Sequence, residues 1–352
     1  MAFGPVGKTL KGNIMIQTVG IIGAGAWGTA LACVAARAGK NVLLRAREEE
    51  IVDSIMKNRE NPLYLPDIRL PETIVATTDM KEVVTRSDML LFVVPAQFLR
   101  PTAAEVRPFL KKGTPCVVCA KGFEEKTGAL LGEIMAEELP DGVFAVLSGP
   151  TFAGEVAAGK PTALTLACRD EKTGWDIINA LGSLSFRPYY SPDVISVQIG
   201  GAVKNVMAIA AGITVGKNLG DNAKSLLITR GLSEIVRLCV ALGGQAETMT
   251  GLSGLGDLLL TANSMQSRNF SLGVALGRGK KLQDVLAERH CVTEGVHTAG
   301  AVVARARSVD VEMPICEALV RVLNENADID AVLKELLSRP LREESFRSYE
   351  KN

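Results

Sequence analysis

The hydrophobic pattern of the chain changes period near residue 190. Before that point short continuous apolar runs recur: Thr18-Val19-Gly20-Ile21-Ile22, Val42-Leu43-Leu44, and residues 73–76, 88–94, 115–120, 143–147, 162–167 and 185–190. Stretches of helical period lie between most of them, for example 129–139 and 172–181. Continuous apolar strands joined by helices predict a parallel sheet covered on both faces. From Asp193 onward the pattern predicts helices only. Two are long, 194–215 and 223–242, and shorter ones follow near 258–261, 269–276, 282–287, 294–308, 314–323 and 329–337. Pro314 suits the first turn of its helix. The expected organisation is a mostly parallel, doubly wound α/β domain over 18–190 and an all-α domain over 191–338. A loose extension at 1–17 and a charged, frayed tail at 339–352 flank them.

The first strand runs into Gly23-Ala24-Gly25-Ala26-Trp27-Gly28, and an Ala- and Leu-rich helical pattern follows at once. Strand, G-x-G-x-x-G and helix in that order predict a dinucleotide site of the Rossmann type. Gly23 can make the tight turn, Gly25 lets the backbone approach a pyrophosphate, and Gly28 allows close helix–strand packing. The helix start then offers free N–H groups and partial positive charge to the anion. At the end of the second strand, where NAD sites usually carry an acid, stand Arg45 and Arg47. Two guanidiniums suit a ribose 2′-phosphate, so NADP(H) is favoured and NAD(H) stays possible, with Glu48 as the acid that could still reach a ribose.

Composition narrows the class. At 352 residues there is material for two cores. Lysine plus arginine equals aspartate plus glutamate, 39 each, so no global field attracts nucleic acid or a membrane surface. No uninterrupted apolar run reads as a membrane span, and residues 1–17 lack the apolar core of a signal peptide. Seven cysteines, an odd number, argue against a disulfide framework and for a reducing cytoplasm. Cys116 and Cys119 form a C-x-x-C, but odd spacing on a strand sends them to opposite faces, and no second ligand pair accompanies them, so no metal is expected.

Lys204 is the second chemical signal. It lies in Gly200-Gly201-Ala202-Val203-Lys204-Asn205, within a helix apolar on nearly every side. Such a helix should be buried, and a buried ammonium needs a partner. The paired glycines suggest that something, such as a cofactor or substrate, packs against the helix backbone. The only histidines, His290 and His297, lie far from the glycine turn in sequence. Lys204 is therefore the candidate proton donor of a hydride-transfer enzyme, since burial can bring a lysine pKa toward neutrality. The competing reading is a lysine that snorkels to the surface.

The chain resembles the bacterial NAD(P)-dependent glycerol-3-phosphate dehydrogenases from about Val19 to Leu337. The resemblance rests on the glycine turn and on Ala120-Lys121-Gly122, Ser148-Gly149-Pro150-Thr151-Phe152-Ala153 and the Gly200 to Asn205 block. It continues through Thr229-Arg230-Gly231, Gly254-Leu255-Gly256-Asp257-Leu258, Gln266-Ser267-Arg268-Asn269, Val292-Thr293-Glu294-Gly295 and Glu312-Met313-Pro314-Ile315. It implies reversible reduction of dihydroxyacetone phosphate at C2 to sn-glycerol 3-phosphate, a step that supplies phospholipid synthesis. By motif, Lys204 would be the acid/base residue. Asp257 would orient it or bind a substrate hydroxyl, unless it only caps the helix starting at Leu258. Gly149, Thr151, Ser267 and Asn269 would contact substrate, with Lys121 and Arg268 reaching both substrate and cofactor. Ala26, Trp27, Ala153, Val292 and Glu294 would line the cofactor site. Ser267 to Asn269 also read as a capping cluster, and Glu294 as a first-turn acid. Ala26 stands where the family often has Ser, which removes one side-chain bond to the pyrophosphate. A homodimer is implied by the same resemblance. Two other readings stay open: a related two-domain dehydrogenase of a sugar acid or 3-hydroxyacyl substrate, and an NADP(H)-binding sensor without turnover.

Overall fold

The computed structural model describes residues 15–289 and 292–341. His290, most of the expected extension and the end of the expected tail lie outside the described residues. The first half alternates strand and helix: β1 (Thr18–Ile22), α1 (Ala26–Arg37), β2 (Asn41–Arg45), α2 (Glu49–Asn58), β3 (Ile74–Thr77), α3 (Met80–Arg86), β4 (Met89–Phe92), α4 (Leu99–Val106), β5 (Pro115–Val118), α5 (Leu131–Glu138), β6 (Val143–Ser148), α6 (Ala153–Ala157), β7 (Thr162–Cys168), α7 (Glu171–Leu181) and β8 (Phe186–Ser191). All eight strands form one sheet in the order β3-β2-β1-β4-β5-β6-β7-β8. The order reverses between β1 and β4, which opens a crevice at their carboxyl ends. Two apolar cores cover the sheet faces. Cys116 joins one and Cys119 the other, as the odd spacing requires, and both are free and buried.

One pairing breaks the parallel pattern. β6 and β7 run antiparallel, Ser148 opposite Thr165. The connecting helix α6 has five residues and rises only about 7.5 Å, too little to carry the chain back along a strand of about 20 Å. The chain therefore re-enters the sheet from the edge it just left.

The expected loose extension is anchored at its end. Ile16 is buried, its carbonyl accepts a bond from Lys40 Nζ at 2.8 Å, and Gln17 N donates to Asp88 at 2.9 Å.

The second half is helical among the described residues: α8 (Val194–Gly216), α9 (Gly220–Ala241), α10 (Asp257–Ala262), α11 (Arg268–Gly277), α12 (Leu282–Ala287), α13 (Glu294–Arg307), α14 (Pro314–Asn324) and α15 (Ile329–Leu337). At 23 residues α8 is long and apolar enough by length and composition to cross a membrane, although Lys204 interrupts its apolar run, and it is sheathed by the other helices as their core. Its closest neighbour is α11. A Cβ on Gly212 or Gly273 would overlap the backbone of the facing helix, and one on Gly277 would stand 2.6 Å from the Ile213 carbonyl. Small residues four apart on both helices bring the two backbones together, and the start of α11 meets α8 through Asn269 and Asn205.

Candidate active site

The glycine turn follows β1 at the crevice. Gly23 has a φ of +117°, and a Cβ there would lie 2.7 Å from the Val93 carbonyl, so only glycine fits. A Cβ on Gly28 would overlap the Gly23 carbonyl oxygen. Gly25 differs: nothing lies within 4 Å of where its Cβ would be. It is the N-cap of α1 and supplies no side-chain cap, which leaves the first N–H groups of α1 for a ligand. That cradle fits a pyrophosphate. Ala26 and Trp27 form the first turn, half-buried, against the sheet core. The turn is braced from outside by Asn61, fully buried, whose Nδ2 donates to the Ala24 carbonyl and to Thr29 Oγ1, both at 2.8 Å. No local pattern marked Asn61; it reaches the turn from the segment between α2 and β3.

Arg45 ends β2 beside this turn. Its Nη2 is 3.6 Å from Glu105, and its Nε is buried without a partner. The Arg47 side chain is 78% exposed and bonds Glu48 at 2.9 Å. Glu48 is thus engaged by Arg47. Ala153 starts α6, whose end is tied to α1 by Arg37 donating to the Val156 and Ala157 carbonyls.

Further along the same sheet edge, Lys121 follows β5 and Gly149 follows β6. Here the helical half meets the sheet. Lys204 and Asp257 are 6% and 0% exposed. Lys204 Nζ donates to Asp257 Oδ1 at 2.5 Å and to Thr261 Oγ1 at 2.7 Å. Lys121 Nζ donates to the other carboxylate oxygen at 2.6 Å and to the Gly149 carbonyl at 3.1 Å. One aspartate therefore serves two lysines, and the cluster carries a net positive charge suited to an anionic ligand. Each ammonium has three protons, and each spends two on these bonds, which leaves one for another oxygen. Burial is the main cause that lowers the Lys204 pKa to about 7; the Asp257 charge opposes it and the Lys121 charge adds to it.

The paired glycines of α8 are packed by protein rather than by a cofactor. A Cβ on Gly200 would stand 2.5 Å from the Ser253 carbonyl, and one on Gly201 2.5 Å from Ser148 Oγ and 3.5 Å from the Lys121 stem. Asp257 does not cap its helix: Gly256 is the N-cap of α10, and a wide π-type turn, Leu252–Gly256, delivers the carboxylate to the lysines. Such turns recur at functional sites. The approach to it is held by Asp193, which accepts from Gln245 N and Thr248 Oγ1.

At the start of α11, Ser267 does cap the helix, accepting from Phe270 N at 3.2 Å. Asn269 is buried and joins three helices: its Nδ2 donates to Asn205 Oδ1 on α8 and its Oδ1 accepts from Gly295 N on α13, each at 3.0 Å. Arg268 projects into solvent. Thr151 Oγ1 donates to the Gly149 carbonyl at 3.4 Å. Val292 is half-buried just before α13. Glu294 reaches across to the sheet, accepting from Ala96 N at 3.4 Å, while its Oε2 is buried without a partner; burial pushes its pKa up. Beside it Thr298 is fully buried, its hydroxyl also without a partner. His297 pairs with Glu125 at the surface, away from the lysines. Asn205 and Thr261 were not singled out from sequence. Thr261 had a signal, since it lies four residues after Asp257 on one helix face.

Family models describe both halves. The N-terminal domain of NAD-dependent glycerol-3-phosphate dehydrogenase matches residues 18–174 and the C-terminal domain residues 193–334. A relative named glycerol-3-phosphate dehydrogenase [NAD(P)+] from Rhodospirillum rubrum is 53% identical over 332 residues, 94% of this chain and 95% of the relative. One of the same name from Parvibaculum lavamentivorans is 52% identical and covers 95% of this chain and 100% of its own length. The crystal structure of glycerol-3-phosphate dehydrogenase from Coxiella burnetii superposes with a TM-score of 0.89 at 40% identity, covering 93% of this chain and 100% of that one.

Proposed function

This chain belongs to the NAD-dependent glycerol-3-phosphate dehydrogenase family, and on that premise we propose how it works as an NAD(P)-dependent dehydrogenase. It reduces dihydroxyacetone phosphate reversibly at C2 to sn-glycerol 3-phosphate, which then serves phospholipid synthesis. The observation that carries the mechanism is the buried Lys204–Asp257–Lys121 cluster at the sheet edge.

Bound NAD(P)H supplies the hydride. The α1 start and the Gly23, Gly25 and Gly28 turn hold the pyrophosphate, and Arg45 and Arg47 take a 2′-phosphate, which favours NADP(H). Ala26, Trp27, Ala153, Val292 and Glu294 line the rest of that groove. Lys204 donates its uncommitted proton to the C2 oxygen as negative charge develops there, and takes it back in the reverse direction. Asp257 holds the ammonium in line and offsets part of its charge, which keeps it ionisable near neutrality. Lys121, Gly149 and Thr151 border the substrate, and Ser267, Arg268 and Asn269 grip its phosphoryl group at the start of α11. The enzyme acts as a homodimer in the cytoplasm; its six described cysteines, free and buried, suit a reducing compartment.

The test is loss of reduced-nicotinamide absorbance with dihydroxyacetone phosphate, run with NADPH and NADH in parallel. Substrate-dependent consumption, faster with NADPH, is expected. Tight NADPH binding without consumption would overturn the reading in favour of a sensor. Consumption only with a sugar acid or hydroxyacyl substrate would point to a sibling dehydrogenase.

A further inference from the structure

We propose that Arg289 is a positioning residue that sets the phosphate grip of Arg268 and Asn269. The proposal rests on the reading of α11 as the phosphoryl site. Arg289 follows α12 and is half-buried. Its Nη1 donates to the Arg268 carbonyl at 2.6 Å and to Thr293 Oγ1 at 3.4 Å, and its Nη2 donates to Ser271 Oγ at 3.1 Å. One planar fork thus ties the first turn of α11 to the N-cap of α13. The Asn269–Gly295 bond joins the same two helix starts from the buried side. Among the described residues, the turn is otherwise held by its own helix bonds, by the Ser267 cap and by Ser271 Oγ donating to the Arg268 carbonyl at 3.3 Å.

Charge makes the arrangement more than a brace. Burial first and the nearby Arg268 charge second lower the Arg289 pKa, and the Glu288 charge opposes them. Among the described residues neither guanidinium forms an ion pair with a carboxylate, and the neighbouring Glu288 bonds Lys280 instead. Glu288 near Arg289 and Glu294 near Arg268 offset part of this charge without pairing directly with either guanidinium, so the Arg268 guanidinium stays free and adds positive potential where a phosphoryl group would sit. A dianion at this turn relieves the repulsion, so the grip is stronger with Arg289 than the direct contacts alone would make it.

The experiment compares the full-length protein with Arg289→Gln and Arg289→Lys. In Arg289→Gln the KM for dihydroxyacetone phosphate should rise about tenfold, the size of one charge-assisted hydrogen bond, while kcat stays within about threefold. The inhibition constant of inorganic phosphate, competing with the substrate, should rise by a similar factor. Arg289→Lys, which keeps the charge but loses the fork, should recover part of both. Unchanged KM and phosphate inhibition would overturn the proposal. So would kcat and melting temperature falling together with phosphate inhibition unmoved, since that marks a purely structural role. If the wild-type protein did not turn over dihydroxyacetone phosphate, the functional reading would fail by itself. Thermal stabilisation by inorganic phosphate, compared between wild type and Arg289→Gln, would still decide the role of Arg289.

Discussion

The two halves of the site are built in opposite ways. The dinucleotide turn is contained in consecutive residues, Gly23 to Gly28, and needs one remote side chain, Asn61, to brace it. The lysine cluster draws Lys121 and Gly149 from the sheet edge, Lys204 from the core helix, and Asp257 and Thr261 from α10. A turn of the first kind depends on backbone geometry, which glycine supplies locally. A cluster of the second kind exists only while α8, α10 and the sheet are packed together. Damage to the first should weaken cofactor binding in isolation, whereas damage to the packing of α8 should reach the substrate site from a distance.

The sharpest separation is Lys204→Ala. Turnover should drop by about two to four orders of magnitude while NADPH affinity, read by fluorescence titration, stays near wild type. Near-normal turnover would sink the proton-transfer role. Gly28→Ala should do the reverse. The added Cβ collides with the Gly23 carbonyl, so the NADPH dissociation constant should rise by about 5- to 100-fold, the equivalent of about 1–3 kcal/mol, with glycerol 3-phosphate binding retained.

Gly273→Ala probes the packing between α8 and α11. Its Cβ would meet the Ile209 backbone, and the expected loss is about 1–3 kcal/mol of stability by denaturant unfolding. The KM for dihydroxyacetone phosphate should rise as well, because Asn269 moves relative to Asn205. If stability alone changed, the idea that this contact aims the α11 start would fail.

The pH dependence distinguishes the two directions of the reaction. With the Lys204 pKa lowered to about 7 by burial, the ammonium needed for reduction is lost as pH rises through that value. The rate of reduction should fall there, and the rate of glycerol 3-phosphate oxidation should rise. In Lys204→Ala neither limb should remain. The smallest effect concerns Arg45 and Arg47. Removing Arg45 should cut the NADPH-over-NADH preference by several-fold, less than one full charge-assisted bond because Glu105 already stands 3.6 Å from its guanidinium. Removing Arg47, exposed and already paired with Glu48, should change it less.

Much of this was legible in residue order. The strand–glycine–helix segment announced its cofactor because every device it uses lies within a few residues. The shift from continuous apolar runs to helix-only patterning announced a helical second half. Lys204 stood out because a cation in an all-round apolar helix must be paired. Other features were not readable. The antiparallel β6–β7 pair depended on α6 being too short to cross the sheet. The glycines at 200 and 201 advertised a close approach, but a strand end and a π-type turn make it, not a ligand. Asp257 looked equally suited to capping, and only its delivery between two lysines decided otherwise.

Sequence by itself determined the local backbone: where strands and helices form, where glycine is obligatory, and which side chains would be costly to bury alone. These follow from forces that act within a turn or two of the chain. The tertiary structure decided the partners. Which aspartate neutralises Lys204, which asparagine braces the cofactor turn and which arginine stands behind Arg268 depend on elements that meet only after the sheet and the helices pack, across separations of tens to more than a hundred residues.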